Sequence, residues 1–234
     1  EGITRYILLP SIIYNENLSV KYSDKLILLN KREIIELKKI YTNKLKNKRI
    51  YEIPLYLEDR YDSTKKLKKC EYDYLFIGSA FYANLHGISW FIENVLPNVT
   101  GKLVVIGKGM EVLKNKYQNS KKLEIKGTVE NIDDYYYDDN LVISPIFHGA
   151  GMKTKTIEAM MFNKFVVGTS EAFVGVEKKE VINNNFGEIC NTKEEFIKIL
   201  KNRENKIVKK SRNLFLKKYS TERNNKKIEE IIKG

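Results

Sequence analysis

From Tyr74 to Cys190 the sequence alternates short apolar runs with segments of helical length, and this alternation constrains the fold more than any other feature. The runs occupy residues 74–77, 103–106, 123–125, 141–143, 165–167 and 187–190. Most are continuous stretches of Val, Ile, Leu and Phe, the pattern of strands covered on both faces. Residues 84–95, 110–117, 153–162 and 193–202 supply helices between them. Strands that alternate with helices require right-handed crossovers, which predicts an α/β fold with a doubly wound, six-stranded parallel sheet. Ligands of such sheets bind beyond the carboxyl ends of the strands, where the strand order reverses. Functional residues are therefore expected just after strands.

Ahead of this region, residues 25–29 read as a strand, 31–41 as an amphipathic helix and 49–53 as a second strand ending at Pro54. One such βαβ unit is too small to bury a sheet alone. Residues 57–72 are rich in charge and read as a linker, and two basic helices are expected over 207–219 and 221–232. The net charge of +12 sits on the flanks: residues 71–200 carry −3, whereas 21–70 and 201–234 carry +8 each. No nucleic-acid recognition motif accompanies those flanks, so nucleic acid is not expected as a partner. Solvated helix faces account for them, and an anionic membrane surface would also attract them. No run reaches the length of a membrane span, and the first residues lack the layout of a secretory signal, which together predict a cytoplasmic protein. Cys70 and Cys190 are too few and too far apart for a disulfide framework or a zinc site.

The stretch 144–160, Ser-Pro-Ile-Phe-His-Gly-Ala-Gly-Met-Lys-Thr-Lys-Thr-Ile-Glu-Ala-Met, carries the chemistry. A buried strand ends at Ser144, a turn containing Gly149 and Gly151 follows, and a helix opens near Lys153. Glycine lets backbone approach a ligand closely, and a helix start offers unpaired N–H groups and a partial positive charge to a diphosphate. Lys153 and Lys155 add cationic donors. Glu158 lies about 7.5 Å farther along the helix axis, comparable with the step from a diphosphate to its ribose. A carboxylate there can accept both ribose hydroxyls, one on each oxygen. A surface pair between Lys155 and Glu158 is the plainer reading, and the residues alone do not separate the two.

Other signals are weaker. Gly107-Lys108-Gly109 begins like a dinucleotide fingerprint, but Val112 stands where the third small residue belongs. Asp133, Asp134, Asp138 and Asp139 flank three tyrosines, where helix capping and solvation account for them. His148 stands in the turn, within reach of a transferred sugar or simply packed there. His86 reads as an ordinary helix residue and Trp90 as core.

Taken in order, these pieces resemble family 4 ("group 1") glycosyltransferases of GT-B architecture, over about residue 25 to the end of the chain. Besides 144–160, the resemblance rests on Leu75-Phe76-Ile77-Gly78-Ser79 with Asn84 and Trp90 to Pro97, on 103–109, on 125–129, and on 165–171 with Gly175. It implies a Rossmann-like C-terminal half of the fold (66–205), preceded by the tail of an acceptor domain and linker (1–65) and followed by C-terminal helices (206–234). It implies a retaining sugar transfer from a nucleotide diphosphate sugar to a glycan or lipid-linked acceptor, in surface polysaccharide or glycan synthesis, with no obligatory metal or other cofactor. The implied donor set is Gly78, Ser79, Val129, Gly149, Gly151, Met152, Lys153, Thr154, Lys155 and Glu158. Val129 would rest against the base, Gly78-Ser79 against the diphosphate, and His148 would be a catalytic candidate. Ala150 stands where the family often has a glutamate. The first domain's own glycine-rich loop would lie upstream of Glu1, so that this stretch by itself would be inactive. Two alternatives remain open: a non-catalytic nucleotide-sugar-binding module, and a nucleotide-sugar epimerase of the same architecture.

Overall fold

The computed structural model describes residues 2–149, 151–202 and 209–234. Its contacts divide the chain into two units, Glu1–Pro54 and Leu55–Gly234. The first unit holds α1 (Gly2–Tyr22), β1 (Lys25–Leu28), α2 (Lys31–Tyr41) and β2 (Arg49–Glu52). Strands β1 and β2 run parallel, with Lys25 opposite Arg49 and Leu28 opposite Glu52. This is the expected βαβ unit, and α1 is an addition that the sequence pattern did not mark. Buried Asn30 caps α2 by accepting the Glu33 N–H at 3.0 Å.

The second unit is built on β3 (Tyr74–Ile77), β4 (Leu103–Ile106), β5 (Leu123–Gly127), β6 (Leu141–Ser144), β7 (Val166–Gly168) and β8 (Gly187–Ile189). All six are parallel, in the spatial order β5-β4-β3-β6-β7-β8. The expected sheet is therefore present strand for strand. Every residue of β3, β4 and β6 is buried, whereas the edge strands β5 and β8 are partly open. That contrast explains why the central runs are wholly apolar and the edges tolerate Glu124, Lys126 and Glu188. From β3 the chain winds outward one way through β4 and β5, then returns to β6 beside β3 and winds the other way. The strand order thus reverses between β3 and β6.

The crossovers are α3 (Tyr82–Asn94), α4 (Lys114–Tyr117), α5 (Asp133–Tyr136), α6 (Thr154–Met161) and α7 (Lys178–Asn184), followed by α8 (Lys193–Lys201), α9 (Lys209–Leu214) and α10 (Thr221–Lys233). Helix α3 lies unusually close to the chain after β6. A Cβ on Gly87 would stand 1.9 Å from the Pro145 carbonyl oxygen, so no larger residue fits there without movement. Phe196 of α8 is fully buried against Trp90 and Phe91 of α3, at ring distances of 5.7 and 5.8 Å. Helix α8 starts with a capping box in which Thr192 and Glu195 exchange side-chain and backbone contacts. No helix among the described residues is long and apolar enough to cross a membrane.

The segment read as a linker is stitched to the second unit. Leu57 bridges to the turn at Ser220 and Lys68 bridges to Asp138. The Leu57 N–H donates to the Tyr219 carbonyl at 2.9 Å, and the Thr221 N–H donates to the Leu57 carbonyl at 2.9 Å. Arg212 of α9 forks onto Asp59 at 2.9 and 2.6 Å and lies 4.2 Å from the Tyr61 ring centre. The compact unit therefore begins at Leu55, ahead of the position 66 that the resemblance implies, and it takes in the described part of the C-terminal helices. Composition suggested a linker because the segment is charged; Asp59, Arg60, Lys65 and Glu71 meet partners that sequence spacing does not display.

Candidate nucleotide site

At the point of strand reversal a cleft of ≈ 350 Å³ opens, lined by the chain after β3, the turn after β6 and the first turns of α6. Gly78, Ser79, His148, Gly149, Met152, Lys153, Thr154, Lys155 and Glu158 all face it, together with Phe81 and Asn84. Gly149 and Gly151 adopt φ of +138° and +69°, conformations that side-chain-bearing residues avoid. Ala150, between them, lies outside the described residues. No side chain caps the start of α6, and Lys153, Thr154 and Lys155 at that start line the cleft, next to the helix end that carries a partial positive charge.

Two lysines flank that helix start in different ways. Lys153 donates to the Gly151 carbonyl at 2.8 Å and pairs with Glu171 at 3.2 Å, which folds the turn back on itself. Lys155 runs the other way: its Nζ donates to Asn84 Oδ1 at 2.6 Å and lies 4.5 Å from the Phe76 ring centre. Burial, aided by the neighbouring Lys153 charge, pushes the Lys155 ammonium down from its usual range to about 7, with Glu158 opposing the shift. Asn84 also donates to the Ser79 carbonyl at 2.9 Å, so one side chain ties Lys155 to the loop after β3. The Gly78 amide continues the sheet toward Ile106, and Ala80 does so toward Lys108.

Glu158 lies deeper along α6, with its side chain 17% exposed. Its Oε1 accepts from Arg60 Nη2 at 2.9 Å, and its Oε2 faces the Tyr136 hydroxyl at 3.4 Å. Arg60 in turn forks onto Asp133, Nε to Oδ2 at 3.0 Å and Nη2 to Oδ1 at 3.1 Å. These two carboxylates hold the guanidinium firmly charged. Tyr136 is buried and stacks on Phe162 at 4.8 Å, and burial raises its hydroxyl well above the ordinary range.

Sequence reading did not find Arg60 or Tyr136. Arg60 is the one arginine in the lysine-rich stretch 57–72. An arginine kept where lysine would serve as a point charge is a signal for two-pronged carboxylate binding. The acidic cluster also differs from expectation. Asp133 and Asp134 form ion pairs with Arg60 and Lys65 rather than capping α5, whose first amide is met by Asn131. Val129 lies apart from the other expected donor residues, in another hollow of ≈ 580 Å³ with Lys68, Glu130, Asn131, Asp134, Tyr135 and Asp138. His148 is exposed at the cleft edge, its ring 5.2 Å from that of His86 and 6.5 Å from that of Tyr82.

Residues 71–201, more than half of the 234, match the sequence family described as Glycosyl transferases group 1. A Klebsiella pneumoniae protein described as an uncharacterized 44.6 kDa protein in the cps region is 29% identical over 110 residues, spanning 41% of this chain and 28% of that protein. Among solved structures, TarM superposes with a TM-score of 0.68 at 15% identity, covering 94% of this chain and 46% of TarM. WaaG, a glycosyltransferase involved in lipopolysaccharide biosynthesis, gives 0.65 at 16% identity, covering 89% of this chain and 62% of WaaG. Anabaena HepE, solved in complex with UDP, gives 0.69 at 12% identity, covering 93% of this chain and 65% of HepE. At these identities the structural likeness concerns the fold, and the chain spans less than two thirds of each of these relatives. With the sheet, the strand reversal and the ordered family match in agreement, the chain belongs to the group 1 glycosyl transferases, in the C-terminal half of a GT-B fold.

Proposed function

We propose that this chain holds the donor of a retaining glycosyltransferase, which moves a sugar from a nucleotide diphosphate sugar to a glycan acceptor during polysaccharide synthesis. One observation carries the reading: a single cleft at the strand reversal gathers the loop at Gly78-Ser79, the glycine turn, the uncapped start of α6, two lysines and Glu158. The diphosphate sits against the first amides of α6, with Lys153 and Lys155 beside it, and Glu158 accepts the ribose hydroxyls. The fold likeness to HepE, solved with UDP and glucose, and the kinship to a protein of a cps region support this reading.

In the transfer, the bond between the sugar's anomeric carbon and the diphosphate oxygen breaks, and the acceptor oxygen bonds that carbon on the same face while losing its proton. Negative charge then grows on the leaving diphosphate. Preorganised amides and cations stabilise that charge without having to reorganise. Lys155 is suited to this role, because a proton that burial holds weakly in the free protein is held more strongly beside a developing anion. His148, at the cleft edge, faces the sugar end of the donor.

Isothermal titration with UDP, GDP and ADP tests the binding half of the proposal. Glu158→Gln keeps one acceptor oxygen and is expected to weaken the preferred nucleotide at least roughly tenfold, the lower end of the scale for one lost hydrogen bond to a charged group. Unchanged affinity would remove Glu158 from the site. In a protein that carries both halves of the fold, donor hydrolysis without acceptor would support transferase chemistry, and conversion of the free nucleotide sugar to its epimer would point to an epimerase instead.

A further inference from the structure

Glu158 does not owe its aim to its own helix alone. Arg60 reaches it from 98 positions earlier in the chain and bonds one carboxylate oxygen at 2.9 Å. That guanidinium is itself fixed, by three contacts of 3.0 to 3.3 Å with Asp133. The backbone on either side of it is fixed as well. Asp59 is gripped by the Arg212 fork, and Tyr61 stacks on Tyr137 at 5.9 Å and meets Phe162 edge-on at 6.1 Å. Arg60 lies outside the residues 71–201 that the family match covers.

Two roles are open to a cation so placed: a latch that must swing away before ligand binds, or a fixed support. The contacts favour support, since swinging would break the three bonds to Asp133 as well as the one to Glu158. A carboxylate offers about four acceptor positions, two on each oxygen. Arg60 takes one on Oε1 and the Tyr136 hydroxyl faces one on Oε2, which leaves one on each oxygen. That remainder is the acceptor pair a vicinal diol needs.

We propose that Arg60 is a positioning residue that gives the site its preference for ribose over deoxyribose, by holding the Glu158 carboxylate with one open acceptor position per oxygen. This rests on the reading of Glu158 as the ribose-binding group. Because both 2′ and 3′ hydroxyls then donate to a rigid partner, loss of the 2′ hydroxyl leaves a buried acceptor unmet and is felt strongly. With Arg60 gone, the carboxylate rotates and the discrimination falls.

The test measures Kd for UDP, GDP and ADP and for their 2′-deoxy counterparts, using the 234-residue chain and its Arg60→Met, Arg60→Lys, Asp133→Asn and Glu158→Gln variants. Circular dichroism and thermal midpoints confirm that each variant is folded. Wild type is expected to prefer the ribonucleotide about tenfold. Arg60→Met should cut that ratio at least threefold while leaving affinity for inorganic diphosphate unchanged. Arg60→Lys, which keeps the charge but not the fork, and Asp133→Asn, which loosens the anchor without altering Arg60, should fall between. A preference lost in Glu158→Gln but intact in folded Arg60→Met overturns this inference and spares the ribose reading. Tighter nucleotide binding in Arg60→Met identifies a latch and also overturns it. A wild-type chain with no ribose preference, a preference that survives Glu158→Gln, or no binding of any of the three nucleotides overturns the ribose reading and this inference with it.

Discussion

With a nucleotide diphosphate seated as proposed, Lys155 should make its binding depend on pH in a direction that the geometry fixes. Its Nζ is enclosed by Phe76, by Asn84 at 2.6 Å and by the nearby charge of Lys153, and its pKa is pushed down from 10.5 to about 7. A diphosphate seated beside it would restore the ordinary range, so above pH 7 binding must be accompanied by proton uptake. The limiting slope is one decade of Kd per pH unit, which over pH 7.5 to 9.0 amounts to a rise of roughly 20-fold. Titration of the nucleotide does not interfere in that window, because a terminal phosphate is already ionised above its pKa of about 6. Calorimetry in Tris and in HEPES at pH 8.5 should report close to one proton taken up per nucleotide. Lys155→Met keeps the stem against Phe76 and removes the titrating group, so its Kd should be weaker at pH 7.5 and flat to pH 9.0. The same variant should be more stable than wild type near pH 8.5. Between the lowered folded pKa and the ordinary unfolded one, the unfolded chain binds a proton that the folded chain does not, and that difference opposes folding. A wild-type Kd that does not move with pH, or a slope that persists in Lys155→Met, would refute the reasoning.

Two further expectations concern the scaffold. Gly87→Ala forces a methyl group to within 1.9 Å of the Pro145 carbonyl and should destabilise the second unit by about 1–3 kcal/mol, lowering the thermal midpoint by roughly 3–10 °C. An unchanged midpoint would mean that α3 yields more easily than its packing implies. Arg212→Met removes the fork on Asp59, a contact whose partners are 18% and 32% exposed, and should cost about 1–2 kcal/mol. Limited proteolysis should then cut earliest within residues 55–65, and a wild-type cleavage pattern would contradict the role given to that pair.

How much of this was legible in the sequence depends on the range of the interaction. The strands of the sheet were legible because parallel strands buried on both faces must be apolar without interruption, and Tyr74–Ile77, Leu103–Ile106 and Leu141–Ser144 are. The glycine turn and the start of α6 were legible for a similar reason: a strand, two glycines and a helix opening lie within a dozen consecutive residues. The packing of segment 57–72 on the second unit was not legible, since a charged run looks the same whether its charges meet water or partners about 150 positions away. The shift of Lys155 was invisible too, because it arises from Phe76 and Asn84 on other elements.

What the sequence determined by itself was therefore the local matter: which segments become strands, their order along the chain, and where the glycine turn and the start of α6 are placed. Tertiary structure alone decided that Arg60 meets Glu158 and Asp133, that Val129 faces a different hollow from Lys153 and Lys155, and that the second unit begins at Leu55. Periodicity records which face of an element is dry. It carries no record of which distant charge a folded chain brings to a carboxylate, because that pairing depends on the crossovers that put the two side by side.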